Sequence, residues 1–242
     1  MAATAWEFRH RALIFGLILG CSFPLYAVDP RNSVAVLANW LEARYALDAV
    51  RSARLLWLSA ALLLAIAALI RTWASSYLQA EVVYAQRVQS AVLVADGPYR
   101  LVRNPLYLAN ILMAVAMAGM LNRSGGVFAV VAMVLFCQRL IAREEAELRA
   151  SQGGSYEQYC QAVPRLWPAL RPRLPASGRR PRWRAGLAAE LWFWGFAAAL
   201  LAFAVTLSLV VFYVLLGASF FWLFTRTPRP RGNPSEAEWK SD

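Results

Sequence analysis

NPLYLANILMAVAMAGMLN, residues 104–122, and SGGVFAVVAMVLFCQ, residues 124–138, are two uncharged runs separated by Arg123 alone. A membrane span needs about 20 mainly apolar residues. This pair approaches that length twice, with the turn-forming residues Asn122-Arg123-Ser124-Gly125-Gly126 between its arms. The stretch reads as a helical hairpin that crosses a membrane and returns. Working outward, Ala12 to Val28 is charge-free behind Arg9 and Arg11, and Leu55 to Ile70 continues past Arg71, whose long side chain can snorkel. Leu191 to Thr225 is an uncharged run of about 52 Å as a helix, without Gly or Pro punctuation at its middle, and is expected to be one long, tilted span. The first run also has the look of a signal peptide, with Ile18-Leu19-Gly20-Cys21 like a lipoprotein cleavage box. The four apolar runs that follow make an uncleaved first helix the simpler account. The expected fold is an all-α integral membrane protein with about five transmembrane helices.

The rest of the composition agrees. Hydrophobic residues make up 60% of 242, charged ones 16%, and mean hydropathy is +0.44, which excludes a soluble globule. Three cysteines (Cys21, Cys137, Cys160) and the single His10 leave no CxxC, no HExxH and no histidine dyad, so no metal site is expected and the cysteines read as small hydrophobes. Neither a strand-borne GxGxxG nor a P-loop occurs. Net charge is +11, almost wholly arginine, and on a membrane chain this speaks of topology and anionic lipid rather than nucleic acid. With five spans, 16 positive residues fall on the side of the N-terminus, residues 71–103 and 139–184, against 9 on the other. The first side is expected to be cytoplasmic. Pro164 to Arg184 holds five prolines and seven arginines and reads as a surface linker.

Two polar segments flank the hairpin and face that same side. In the first, Val92 to Tyr107, Gly97-Pro98 makes a turn and Pro105, behind the restricted Asn104, suits the start of a helix whose free N–H groups can bind a polar ligand. In the second, Arg139, Arg143, Glu144, Glu145 and Glu147 leave the fourth span, and Ser155 and Gln158 have capping-box spacing for a short helix. On the residues alone, these charges are either solvated helix-end groups with snorkelling arginines, or a convergent cluster suited to a small cationic cofactor.

At these residues the sequence resembles the isoprenylcysteine carboxyl methyltransferase family and its relative, phosphatidylethanolamine N-methyltransferase, closely over residues 91–168. The family pattern G-x-Y-x-x-x-R-H-P-x-Y-x-G meets Gly97, Tyr99, Arg103, Pro105 and Tyr107. Its E-E-x-x-L, F-G-x-x-Y-x-x-Y and valine-proline elements meet Glu144, Glu145, Leu148, Gly153, Tyr156, Tyr159, Val163 and Pro164. Asn104 stands for the usual histidine, as in the phosphatidylethanolamine enzymes, and Ala109 for a glycine. The resemblance implies S-adenosylmethionine as cofactor, lined by Val92, Leu93 and Val94, faced by Tyr99, Asn104, Pro105, Leu106 and Tyr107, and bound by Glu144 with Glu145 as its partner. It also implies an arginine just before the acid pair that holds a substrate carboxylate. The strict offset falls on Leu140, so Arg143 or Arg139 is the catalytic candidate.

The organisation expected from this is 1–90 for the first two spans, 91–168 for the methyltransferase core, 169–186 for the Pro/Arg-rich linker, 187–225 for the C-terminal transmembrane helix and 226–242 for a polar tail. The implied activity is methylation, at the cytoplasmic face of a multi-pass membrane protein, of a lipophilic acceptor drawn from the bilayer. The leading acceptor is an isoprenylcysteine-like carboxylate, which is ionised at neutral pH and needs no general base; a lipid amine must first lose a proton. A lipid amine or thiol remains the alternative acceptor, and a membrane reductase or a non-catalytic membrane protein the alternative class. Membrane lipids are expected partners, nucleic acid is not, and oligomeric state is left open.

Overall fold

The structure is a computed structural model that describes residues 1–78, 95–176, 178 and 180–226, with backbone alone for 222–226. The described residues form helices and connecting turns without a strand. In chain order these are α1 (Ala5–Arg9), α2 (Arg11–Gly20), a 3-10 turn (Phe23–Ala27), α3 (Ser33–Tyr45), α4 (Ala49–Tyr77), a second 3-10 turn (Gly97–Arg100), α5 (Pro105–Ala118), α6 (Arg123–Gln152), α7 (Gly154–Ala162), α8 (Trp183–Thr206) and α9 (Leu209–Arg226). Three of them, α4, α6 and α8, are long and apolar enough to cross a membrane. The apolar segments Arg11–Ala27, Pro105–Ala118 and Leu209–Phe221 are shorter.

The hairpin that decides the fold is α5 and α6. Its first arm ends at Ala118 rather than at Asn122, because residues 119–122 wind into the turn and Asn122 caps α6 by accepting from the Gly125 N–H at 2.7 Å. The apex is clasped by the chain that follows α2. Asn122 Nδ2 donates to the carbonyls of Leu25 (2.5 Å) and Asp29 (2.7 Å), the Tyr26 hydroxyl donates to the Met120 carbonyl (2.8 Å), and Arg123 pairs with Asp29. An asparagine can meet several carbonyls and a cap at once, which is why a buried turn tolerates it here.

The C-terminal run corrects the expectation of a single long helix. Leu207 takes a left-handed conformation (φ 54°), the Thr206 hydroxyl accepts from Ser208 N at 3.2 Å and the Ser208 hydroxyl accepts from Val211 N at 3.4 Å. The chain reverses there. Phe203 meets Phe212, Phe196 meets Phe220, and the Ser219 hydroxyl donates to the Trp192 carbonyl at 2.6 Å, so α9 runs back along α8 as a second hairpin. The end of α9 therefore returns towards the level from which α8 departs.

Helix α4 lies at the centre, between α5 and α8. Its buried face is small, with Ala61, Leu64, Ala67 and Ala68 all nearly inaccessible, and α8 comes so close at Gly186 that a Cβ there would sit 2.7 Å from the Thr72 carbonyl oxygen. Arg71 does not snorkel. It is buried at the junction of the three helices, where Nε donates to Glu190 Oε2 at 2.5 Å and Nη2 to Glu190 Oε1 at 3.2 Å. Its Nη1 donates to Asn110 Oδ1 at 2.7 Å, and Ser75 donates to Glu190 at 2.6 Å. A buried charge is retained in an apolar interior only when paired and hydrogen-bonded, and here both conditions hold.

Candidate active site

The polar end of the hairpin is assembled from the 3-10 turn, the first turn of α5, the last turns of α6, α7 and the strap that follows α7. Gly97 has φ +57°, and its Cα faces the Tyr77 ring so closely that any side chain would overlap it, so the turn after residue 96 requires glycine. Pro98 then sets the turn that buries Tyr99. The Tyr99 carbonyl accepts from the Tyr159 hydroxyl at 2.8 Å. Burial raises the Tyr99 phenol well above its ordinary pKa, with Tyr159, Glu144 and Glu190 adding to the shift, so the ring stays neutral between the interior ion pair and the mouth.

Pro105 opens α5, as its sequence position predicts. Asn104 does not cap the helix with its side chain; Nδ2 donates instead to Glu145 Oε1 (3.2 Å) and to the Arg165 carbonyl (3.0 Å). The expected capping box at Ser155 and Gln158 also fails to form: α7 begins behind Gly153 at φ +57° and Ser155 bonds back to the Gln152 carbonyl. A left-handed glycine reverses the chain without needing a side-chain cap.

The two adjacent acids have different surroundings. Glu145 is buried and gathers cations: Arg165 Nε at 3.2 Å, Arg103 Nη2 at 3.4 Å and Arg149 Nη2 at 3.9 Å, besides Asn104. It ties the loop before α5 to α6 and to the strap. Glu144 is half-buried, and its Oε1 accepts from the Tyr107 hydroxyl at 2.7 Å. Of the residues expected to face the cofactor, Tyr107 contacts Glu144, Pro105 and Leu106 lie in the same first turn of α5, and Tyr99 is buried in the preceding 3-10 turn. Val92, Leu93 and Val94, expected to line the cofactor, lie outside the described residues.

Arg139 and Arg143 share a face, but that face carries the N-terminal helix. Arg139 Nη2 meets both Glu7 carboxylate oxygens at 2.9 and 2.7 Å and the Arg139 carbonyl accepts from Ala3 N. Arg143 pairs with Glu147 at 2.8 Å, donates to the Ala3 carbonyl at 3.2 Å and lies over the Phe8 ring at 5.6 Å. In this arrangement both arginines anchor α1.

The Pro/Arg-rich segment is not a loose surface linker in its first half. Arg103 N donates to the Pro164 carbonyl, Ala169 N to the Leu101 carbonyl and Arg173 N to the Arg100 carbonyl, each at 2.9 Å, and Arg100 Nε donates to the Leu174 carbonyl at 2.7 Å. Proline-rich chain cannot build its own ladder, but its carbonyls and few N–H groups pair with an adjacent loop. Of the cysteines, Cys137 is buried, Cys160 half-buried and Cys21 exposed.

Sequence reasoning passed over Ser75, Asn110, Glu190 and Arg165. One signal pointed to the first three: Glu190 is the single acid at the head of an apolar run and Arg71 the single base within another, opposite charges that an apolar interior must bring together. An apolar groove of about 810 Å³, lined by Trp57, Met117, Phe203 and Phe212 among others, opens near the hairpin apex, away from the acids.

No curated protein and no solved structure matches the chain. Residues 55–150 match the model of the isoprenylcysteine carboxyl methyltransferase (ICMT) family, from the first apolar turns of α4 through the acid pair on α6. The matched stretch contains the turn at Gly97, the Pro105 helix start, Tyr107 and both glutamates, and through this stretch the chain is similar to the isoprenylcysteine carboxyl methyltransferase family.

Proposed function

We propose that the protein is an S-adenosylmethionine-dependent methyltransferase of the membrane, acting on a lipophilic acceptor with an isoprenylcysteine-like carboxylate. The observation that carries this reading is the pairing of Glu144 with Tyr107 inside the family-matched stretch. The carboxylate is half-buried, held by one neutral hydroxyl, and next to a glutamate already committed to three arginines. The donor set also fits a zwitterionic cofactor: Glu144 offers an acceptor for ammonium or hydroxyl groups, and Arg103 Nε is buried without a hydrogen-bond partner among the described residues. When bound, S-adenosylmethionine supplies a sulfonium methyl group to an in-line nucleophile.

What the chain contributes is positioning and dehydration. Tyr107 fixes the Glu144 carboxylate, Glu145 fixes the loop that carries Asn104, and the strap covers that loop. Holding a nucleophile and a methyl group in line contributes on the order of 7 to 11 kcal/mol. Arg143 or Arg139 orients an acceptor carboxylate only after leaving its α1 partners. This engagement, with Asn104 in place of histidine, favours a second reading in which the acceptor is a lipid amine that needs no arginine.

The arginine distribution supports a cytoplasmic mouth, with Arg123 on the far side. A single cysteine at Ser155 should then be shielded from an impermeant reagent applied outside intact cells, and one at Ser124 labelled. Calorimetric titration of S-adenosylhomocysteine into the purified protein tests the main reading. Binding supports it; absence of binding, with retention of NADPH, moves the protein to the reductase class.

A further inference from the structure

The strap that follows α7 is pinned to the loop at residues 100–103 by four hydrogen bonds, and its far end is fixed where Arg182 N donates to the Ser76 carbonyl at 2.7 Å. Its inner side is buried at Val163 and half-buried at Leu166 and Leu174. Its outer side carries large apolar groups that no described residue covers: Trp167 is 82% exposed and Leu170 fully so. Trp183, the first residue of α8, is 54% exposed. Between them Arg171, Arg173 and Arg182 are exposed, and no ion pair engages them among the described residues.

A segment whose backbone is held in place cannot turn these apolar side chains inward. The Ser76–Arg182 bond sets the strap's far end level with the end of α4 and the start of α8, two helices able to span a bilayer. Tryptophan at that depth belongs to the headgroup boundary, where an apolar ring and a polar edge both find partners. Leucine beside arginine fits the same layer, the leucine in the upper acyl region and the guanidinium on lipid phosphate.

We propose that the strap is a docking surface for the anionic phospholipid face of the bilayer, with Trp167 and Leu170 entering the headgroup–acyl boundary and Arg171, Arg173 and Arg182 binding the phosphates. This differs from a topology signal, which acts once during insertion, because it requires a standing dependence on lipid charge. It does not depend on the methyltransferase reading. The strap also carries Arg165, which pairs with Glu145, so a docked strap braces the loop beside the candidate site.

The test is an environment-sensitive fluorophore at Leu170→Cys, in the full chain with Cys21, Cys137 and Cys160 replaced by alanine. The protein is held in nanodiscs of phosphatidylcholine alone or with added phosphatidylglycerol. Each arginine near an anionic surface favours docking about fivefold at low salt. Quenching by acrylamide, a neutral probe, should therefore fall at least about twofold in the anionic discs, and Arg171→Gln/Arg173→Gln/Arg182→Gln should abolish that difference. Equal quenching in both lipids, or the same protection in the triple variant, overturns the proposal. Protection that persists in neutral detergent also overturns it, and assigns the face to a protein partner or a second copy. Should the cysteine-free chain fail to fold, quenching of tryptophan emission by brominated phosphatidylglycerol, compared between the native chain and Trp167→Phe, decides the same question: an unchanged signal refutes it.

Discussion

Two polar clusters in this molecule are built from the same residue types and behave oppositely. In the interior, Arg71, Glu190, Ser75 and Asn110 form a closed set, in which the carboxylate receives three hydrogen bonds and the guanidinium gives three. At the mouth the balance is uneven. Glu145 draws three arginines, whereas the adjacent Glu144 has the Tyr107 hydroxyl. A closed network fixes helices relative to one another, and an unevenly satisfied one retains capacity for a ligand. The contrast separates Glu190, which holds α8 against α4, from Glu144, which stands at the mouth.

The largest expected effect comes from breaking the closed cluster. Glu190→Ala leaves Arg71 buried without its counter-charge and should cost about 3–5 kcal/mol of stability. Thermal unfolding of the purified protein reads it. The double change Arg71→Met/Glu190→Leu should be markedly milder than Glu190→Ala, since no charge is left unpaired. If the double variant is as unstable as the single one, the cluster acts through packing and the comparison fails.

The mouth should respond differently. Glu144→Ala is expected to weaken S-adenosylhomocysteine binding by about 1.5–3 kcal/mol, the scale of a charge-assisted hydrogen bond, while the unfolding temperature stays near that of the wild type. Glu145→Ala should do the reverse in stability, because three arginines lose their shared carboxylate. Wild-type affinity in Glu144→Ala removes the cofactor assignment.

A smaller effect sharpens the acceptor question. An anchoring arginine needs charge and reach, so lysine replaces it at a cost of about 1 kcal/mol or less, whereas bidentate carboxylate recognition needs the planar guanidinium. If Arg143 or Arg139 orients a carboxylate, Arg143→Lys or Arg139→Lys abolishes methyl transfer to a farnesylcysteine analogue with cofactor affinity unchanged. Full activity in both, or transfer to phosphatidylethanolamine alone, selects the amine reading.

The smallest effect concerns α1. The Glu7 carboxyl is held below its ordinary pKa, chiefly by the Thr4 backbone N–H and then by Arg139. A carboxyl with a lowered folded-state pKa contributes stability above its unfolded value and loses it as pH falls through the folded one. The N-terminal clasp should therefore be intact at neutral pH and loosen only in acid, below the ordinary glutamate range. Hydrogen exchange at Ala3 N–H, which donates to the Arg139 carbonyl, would report it. A clasp that loosens on raising pH contradicts the assignment.

Much of this architecture was legible in the residues. Two uncharged runs around Asn122-Arg123-Ser124 are sufficient for a hairpin, because turn chemistry and apolar length are local properties. The order of Gly97, Pro105, Tyr107 and the acid pair marked the family resemblance and the mouth, and Gly97 and Pro105 satisfy requirements of their own backbone. The reversal at Leu207 was not legible, since a left-handed leucine gives no compositional sign and the packing of Phe203 on Phe212 stabilises the turn only once both arms exist.

The sequence by itself determined that this chain is a membrane protein, where its principal hairpin turns and which acids stand at its mouth, all consequences of hydropathy and short-range spacing. Only the tertiary structure decided what each charge does. Whether Arg71 snorkels or pairs, whether Arg139 and Arg143 face a ligand or α1, and which of Glu144 and Glu145 is already committed depend on residues as many as 140 positions away in the chain. Charge pairing in a low-dielectric interior is decided by distance in space, and spacing along the chain carries no record of it.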